Sequence, residues 1–483
     1  MSEINVKAQR ARPVTMWLYG FGSISVGIKN NLLGYFLLIY YNQVLGLNGV
    51  LTASAMAIAL VVDAISDPLV GVWSDRVRTR WGRRHPFMYV AILPFAAAYY
   101  FVLRDPGDLT ETALYFKLLF WLIVLRLSMT FYEVPRGALG PELSKDYDQR
   151  NTLAGLSMAF GWLGGAGIAF VAQQFFLDSY LDRAGYQQLA FWGGLGIFIG
   201  CAVSSLGLHR EIPKLHVPPS RKLQIKSMLR EGVETLSNRS WIVLFIAGCI
   251  YSLLVGMEQG MGTYYNQFLW QWKPSDIAVF ALFQAGCVIV ASLLAPFIAM
   301  GRDKKKIAVI IFLITIAVGQ LPMILRLLDP YVAFSTFPAN GTTEIWWILL
   351  LHAGFTASIG ALGFIFIASM GMEIVEEVQR KTNRREEGLL GTVNSFVHKL
   401  IGAGGVFISG LIITGVGFDA PGVTLEELQG PVITQFAFVH ICLGLSFPIV
   451  ATLLILFYNI DRHGHENNIS TLGYVEVESE TGG

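Results

Sequence analysis

The sequence predicts an all-α membrane protein with twelve transmembrane helices in two six-helix halves. Three observations carry that expectation: a surplus of apolar residues, twelve stretches long enough to cross a bilayer, and a one-sided distribution of lysine and arginine. Of the 483 residues 54% are hydrophobic and 14% charged, with mean hydropathy +0.53, whereas soluble domains carry about 25% charge. A span needs ~20 apolar residues. Windows of that length predict helices over roughly 16–45, 50–73, 87–104, 112–136, 152–177, 187–208, 241–269, 277–300, 307–327, 346–371, 389–416 and 433–459. Two polar breaks, His209 to Ser240 and Asp461 to Gly483, divide the chain. The expected organisation is a first half at 1–208, a central loop at 209–240, a second half at 241–460 and a disordered tail at 461–483.

Orientation follows from the basic residues. Alternate loops carry Arg76, Arg78, Arg80, Arg83 and Arg84, then Lys145 and Arg150, the central loop, Arg302 with Lys304 to Lys306, and Arg380, Lys381, Arg384 and Arg385. The opposite loops hold only Arg104, Arg183, Lys273 and Arg326. Short cytoplasmic loops keep the positive excess, so both termini and the central loop are expected in the cytoplasm and the protein in the inner membrane. The apolar run after Lys7, Arg10 and Arg12 is too long for a signal peptide, and no cleaved leader is expected. A net charge of +1 argues against a nucleic-acid partner, which needs a basic face. Cys201, Cys249, Cys287 and Cys442 all fall in apolar stretches without metal-ligand spacing and read as small buried hydrophobes.

Taken in order, the spans carry polar residues where lipid would reject them. The first ends in Tyr40-Tyr41-Asn42-Gln43 and the seventh in Tyr264-Tyr265-Asn266-Gln267; these tyrosines read as interfacial belts, as an outer gate, or as rings stacked on a solute. The second span holds Asp63 and Asp67, one turn apart on one face, with Ser66 beside them. Two such acids in low dielectric bind a cation, share a proton, or are met by a basic residue of another helix. In the fourth span Thr130 and Glu133 lie on neighbouring parts of one face, and Arg126 two turns from Glu133 could pair with it. Glu258 in the seventh span sits between Gly256 and Gly260 and is a candidate to line a cavity. Lys399 in the eleventh, deep among apolar residues beside Gly402, Gly404 and Gly405, needs an acidic partner or an anionic ligand. The histidines His352, His398 and His440 read as interhelical donors.

Parallel repeats of six spans are the plan of the major facilitator superfamily. Asp63-Ala-Ile-Ser-Asp67-Pro, Thr130-x-x-Glu133-Val-Pro and Phe396-Val397-His398-Lys399, with Tyr19-Gly20-Phe21-Gly22, resemble in order and spacing the melibiose carrier branch of the glycoside–pentoside–hexuronide:cation symporter family. The resemblance implies a major facilitator fold and a cation site at Asp63, Ser66, Asp67 and Thr130, where Ser66 replaces the carrier's asparagine. Asp63 and Asp67 would ligate Na⁺ if coupling is to sodium. Lys399 matches the lysine that links the two sites in the family. Of the carrier's galactoside residues the first-helix acid falls on Gly27, the fifth-helix arginine on Met158 and the fourth-helix tryptophan on Gly137, so only Glu133 keeps its type. Lys29 and Asn30 are candidates to replace part of that grip, or Lys29 pairs with Asp63 or Asp67. With Arg126, Glu133, Glu258 and Lys399 they form the expected substrate set.

The loop from Gly71 to Pro86 looks like the superfamily's loop between the second and third helices, in a form similar to sucrose symporters. Asp75, Arg76 and Arg84 are expected to cap helix ends and pair across the halves as a gate, or to act only as a positive anchor. Glu373 and Glu376, ahead of Arg380 and Lys381, are gate candidates or solvated charge. The expected function is symport of Na⁺ or H⁺ with a sugar or glycoside, imported by alternating access. The alternatives are an amphipathic solute such as a lysolipid, or a sucrose-type disaccharide coupled to protons. No enzyme motif, nucleophile–base pair or cofactor is found, and a monomer is expected.

Overall fold

The structure, a computed structural model, describes residues 11–144, 147–214, 238–300, 302–331, 337–382 and 387–458. Most of the central loop and the tail from 461 lie outside the described residues. Helices α2 (Gly49–Arg76), α3 (His85–Leu103), α4 (Glu111–Leu143), α5 (Tyr147–Val171) and α6 (Arg183–Gly207) follow a composite α1 over 13–44. The second half comprises α7 (Arg239–Glu258), α8 (Pro274–Ala299), α9 (Lys304–Val318), α10 (Thr343–Thr382), α11 (Glu387–Gly415) and α12 (Ile433–Leu456). Eleven of these segments are individually long and apolar enough to cross a membrane. The twelfth is α1, whose helix is interrupted at Gly22 and continues through π turns at Leu32–Phe36 and Tyr40–Val44. Among the described residues there is no strand, only an isolated bridge between Thr79 and Gly82.

Local chemistry sets the helix ends. Asn48 accepts the amides of Val50 and Leu51 to start α2, Asp182 accepts that of Ala184 to start α6, and Asp303 accepts that of Lys305 to start α9, each satisfying donors a helix leaves open. Pro68 in α2 lacks the N–H that would bond the Ala64 carbonyl, which loosens the helix one residue past Asp67. In the loop after α3, a hydrogen bond from Arg183 holds the Asp105 carboxyl below the usual carboxylate range and ties that loop to the start of α6.

The chain forms two compact units. The first contains Met1–Arg221 together with Gly256–Ala285 and Ala403–Ile433; the second contains Lys222–Val255, Gly286–Gly402 and Thr434–Gly483. The boundary therefore runs through α7, α8 and α11. In the first unit α1 packs on α5 so closely that a Cβ at Gly164 would lie 2.4 Å from the Ile24 carbonyl oxygen. The second unit packs Trp241, Leu244, Phe366, Met370, Ile455 and Tyr458 into its core.

Candidate functional site

The buried stripe of α2 runs through Ala59, Asp63, Ser66, Val70 and Ser74, the three-and-four spacing of one helical face. It faces the stripe of α4 that carries Arg126, Met129 and Thr130. One atom gathers the site. Thr130 Oγ1 lies 3.2 Å from Asp63 Oδ1, 3.0 Å from Asp67 Oδ1, 3.1 Å from Ser66 Oγ and 3.1 Å from the Arg126 carbonyl oxygen. Ser66 Oγ also lies 3.2 Å from the Asp63 carbonyl oxygen, to which it can donate. A hydroxyl has a single hydrogen to donate, so it can serve only one of the two carboxylates. The other carboxylate oxygen meets it as a true hydrogen bond only if that carboxyl carries a proton, or is relieved if a cation joins the oxygens. Everything in the cluster is oxygen, the ligand type of hard cations.

Arg126 stands at the edge of this cluster. Its Nη1 stands 3.5 Å from Asp63 Oδ2, well beyond the ~2.7–2.9 Å of a tight charge-assisted bond, and its buried Nε has no hydrogen-bond partner. It is attracted by Asp63, Glu133 and Asp67 together. Asp63 is 1% exposed, while Asp67 and Glu133 are half-buried. Lys29 is 3% exposed on α1 of the same unit, and Asn30 next to it is exposed. Glu258 belongs to this unit as well, half-buried just before the left-handed turn at Gly260. Lys399 lies half-buried in the second unit.

The three positions at which the galactoside grip is lost have different physical characters. A Cβ at Gly27 would lie 2.0 Å from the Gly161 carbonyl oxygen and 2.7 Å from the Gly165 nitrogen, so the α1–α5 contact leaves no room for any side chain. Gly137 has nothing within 4 Å of its Cβ position, and Met158 is 60% exposed.

At the basic end of the first unit Arg84 donates to Ser74 Oγ (2.7 Å) and Glu142 Oε1 (3.2 Å) and pairs with Asp75, while Arg83 meets Glu142 at 2.6 Å. Arg76 is exposed and outside this cluster. These pairs all lie within the first unit. In the second unit Glu373 pairs with Lys304 (2.8 Å) and accepts from the Tyr458 hydroxyl (3.2 Å); the Glu376 side chain lies outside the described residues. Glu142 lies one residue from the end of α4 and Glu373 nine residues before the end of α10, so in each half an acid from its fourth span meets basic residues. Sequence reasoning missed Glu142 and Arg136. Arg136 is buried and donates to the Tyr19 carbonyl (2.6 Å), Ser23 Oγ (2.6 Å) and Ser157 Oγ (3.1 Å), binding α1, α4 and α5 together.

The opposite end of the first unit corrects the interfacial-belt reading of the tyrosines. Tyr40, Tyr41, Tyr264 and Tyr265 are all buried. Tyr40 and Tyr41 donate to the Leu103 and Val102 carbonyls (2.9 and 2.7 Å), and Tyr264 to Asn42 Oδ1 (2.8 Å). The Gly260 amide donates to the Gly34 carbonyl (2.7 Å), Gln43 to the Phe418 carbonyl (3.2 Å), and the Gly49 amide to Asp419 Oδ2 (2.8 Å). Segments of α1 and α2 are thereby fastened to the residues after α7 and α11.

Residues 18–462 match the family described as MFS/sugar transport protein. An uncharacterized symporter of Bacillus subtilis, YnaJ, is 23% identical, covering 94% of this chain and 93% of that protein. The isoprimeverose transporter of Lactiplantibacillus pentosus is 22% identical, covering 92% and 88%. An uncharacterized symporter of Synechocystis, sll1374, is 30% identical over 200 residues, which cover 40% of this chain and 36% of that protein. Among solved structures the nucleoside transporter NupG is 12% identical with a TM-score of 0.57, covering 92% of this chain and 100% of that one.

Proposed function

Because the chain belongs to the MFS/sugar transport protein family, we propose that it is a cation-coupled symporter in which Na⁺ or H⁺ enters the Asp63–Ser66–Asp67–Thr130 cluster and a sugar or glycoside is imported with it. The coarser statement, a secondary transporter of the sugar type with a twelve-helix major facilitator fold, already follows from the family and the symporter relatives. The observation that carries the finer reading is the single Thr130 hydroxyl set against both carboxylates, 3.0 Å from one and 3.2 Å from the other. One hydrogen serves only one of the two carboxylates, and the oxygens that converge here are the ligand type of hard cations.

Coupling then works by population shift. Filling the cluster removes a charge penalty and alters Arg126 and Glu133, which belong to the same electrostatic group; the carrier alternates when both sites are filled or both empty. Glu133, Lys29, Asn30, Arg126, Glu258 and Lys399 are the residues assigned here to the solute, and Asp75, Arg84 and Glu373 to closing the basic, cytoplasmic end. The loss of room at Gly27 speaks against a galactoside held as in the melibiose carrier. A bulkier or amphipathic solute is the second reading, favoured by the open space at Gly137 and the exposed Met158.

The test is uptake in proteoliposomes with imposed Na⁺ or proton gradients. Asp63→Asn and Asp67→Asn are expected to abolish concentrative uptake while counterflow exchange of the solute survives. Accumulation unchanged in both variants refutes the assignment.

A further inference from the structure

The second unit contains an apolar cavity that the transport reading does not use. Its volume is about 140 Å³, and its walls come from α7, α9, α10 and α12, including Gly248, Ile311, Gly363, Phe364, Ile367 and Ile455. Thr315, also on the wall, spends its hydroxyl on the Ile311 carbonyl at 3.0 Å. Glycine makes the space: a Cβ at Gly360 would meet nothing within 4 Å, and one at Gly363 would only touch Ile311 Cγ2 at 3.4 Å. Apolar voids exclude water and take apolar guests.

Charge beside the cavity indicates which guest. α9 starts with Lys304, Lys305 and Lys306, and its wall residues Ile311 and Phe312 follow about two turns later, ~10 Å along the axis. On α12, Ile455 lines the cavity, and the carbonyls of Leu456 and Tyr458 just beyond it both accept from Lys305 Nζ at 2.7 Å. Lys304 is committed to Glu373 at 2.8 Å, and the Asp303 carboxylate caps the Lys305 amide at 2.9 Å. Arg302 and Lys306 are exposed. Lys306 stands one turn before Ile310, 56% exposed, and two turns before Leu313, 54% exposed, the face a helix turns to lipid. Cationic heads and an apolar void thus succeed one another along the helix axes, the order of a phosphate and its acyl chain. Basic pockets between helices on the cytoplasmic side are sites for anionic head groups.

We propose that this corner binds an anionic phospholipid of the leaflet on the basic side, with one acyl chain in the cavity and the phosphate between Arg302, Lys305 and Lys306. The site is separate from the cation cluster and does not depend on the transported solute. The full chain, in nanodiscs of phosphatidylglycerol, phosphatidylcholine or their mixture, is released into the gas phase, and retained lipid is counted by native mass spectrometry.

Wild type is expected to retain one phosphatidylglycerol in preference to phosphatidylcholine. Gly360→Leu, which fills the void, is expected to lose it. Lys305→Gln and Lys306→Gln keep a bound lipid but reduce the head-group preference about fivefold each. Gly363→Leu is the second void-filling variant should Gly360→Leu not fold, and thermal unfolding with each lipid gives an independent reading of the preference. Equal retention of both lipids by wild type, or undiminished retention in a folded void-filling variant, overturns the proposal; the first outcome would mean an unselective acyl chain.

Discussion

Replacing Thr130 with valine keeps the shape of the side chain and removes the one atom on which the oxygen cluster converges. In the parent that hydroxyl contacts Asp67 at 3.0 Å, Asp63 at 3.2 Å and Ser66 at 3.1 Å. Hydrogen bonds to charged groups contribute about 1.5–3 kcal/mol, and about 1.4 kcal/mol is tenfold in affinity. Losing the single donor, or one ligand oxygen of a bound cation, should weaken cation binding by about 10- to 100-fold. The assay is the cation dependence of solute uptake in proteoliposomes, with the half-activating Na⁺ or proton concentration as the readout. Thr130→Ser, which restores the hydroxyl, is expected to recover most of the loss. Solute counterflow at saturating cation is expected to survive in Thr130→Val, because no proposed solute contact is removed. Half-activation unchanged in Thr130→Val would refute the reasoning, since the convergence of both acids on this hydroxyl would then have no part in cation binding.

Two further predictions use packing. Gly27→Asp, which would restore the family's acid on the first helix, should instead force α1 from α5, because its Cβ would lie 2.0 Å from the Gly161 carbonyl oxygen. Overpacking costs about 1–3 kcal/mol or more, so a lowered thermal midpoint without gain of galactoside binding is expected; a stable variant that binds galactosides contradicts it. Tyr264→Phe removes the 2.8 Å bond to Asn42, a net contribution of about 1 kcal/mol. In a cysteine-free background carrying Leu38→Cys, maleimide labelling at the end remote from the basic loops should speed up about fivefold; an unchanged rate means the bond does not fasten that end.

What could be read from the sequence was what depends on local spacing. Asp63, Ser66 and Asp67 share one helical face wherever α2 lies, whereas Thr130 as their partner came only from the resemblance to the melibiose carrier branch, since spacing alone set it beside Glu133. Arg136 was not legible, because it falls at the predicted edge of the fourth span, where an arginine ordinarily ends a helix in water; α4 continues to Leu143 and buries it. Glu142 was hidden for the same reason. Gly27 read as a missing carboxylate, whereas it is a contact point between two backbones, and a contact across 134 positions of chain to Gly161 has no signature in residue type. The tyrosines misled because rings at the end of a span have the same composition whether they face head groups or a packed interior. The outcome is set by the carbonyls of Val102 and Leu103, which lie in another helix.

The Tyr-Tyr-Asn-Gln repeat shows how a sequence match and a structural repeat can differ. Aligned by letters, Tyr40 corresponds to Tyr264. The backbone instead repeats one residue later: Leu45 N bonds Tyr40 O and Leu47 N bonds Tyr41 O, whereas Trp270 N bonds Tyr265 O and Trp272 N bonds Asn266 O. Both halves therefore end this span in a π turn, but different letters occupy equivalent positions. The side chains part accordingly, with Tyr40 and Tyr41 reaching carbonyls of α3 and Tyr264 reaching across to Asn42. A π turn leaves the backbone bonds of that turn wider spaced than in an α-helix and is common where helices serve function. Such a turn stands at the same place in each half, and a single buried bond runs from the Tyr264 hydroxyl, just before the second turn, to the Asn42 amide oxygen within the first. The element shared by the two halves is then the backbone turn, and the four matching letters are only partly its cause.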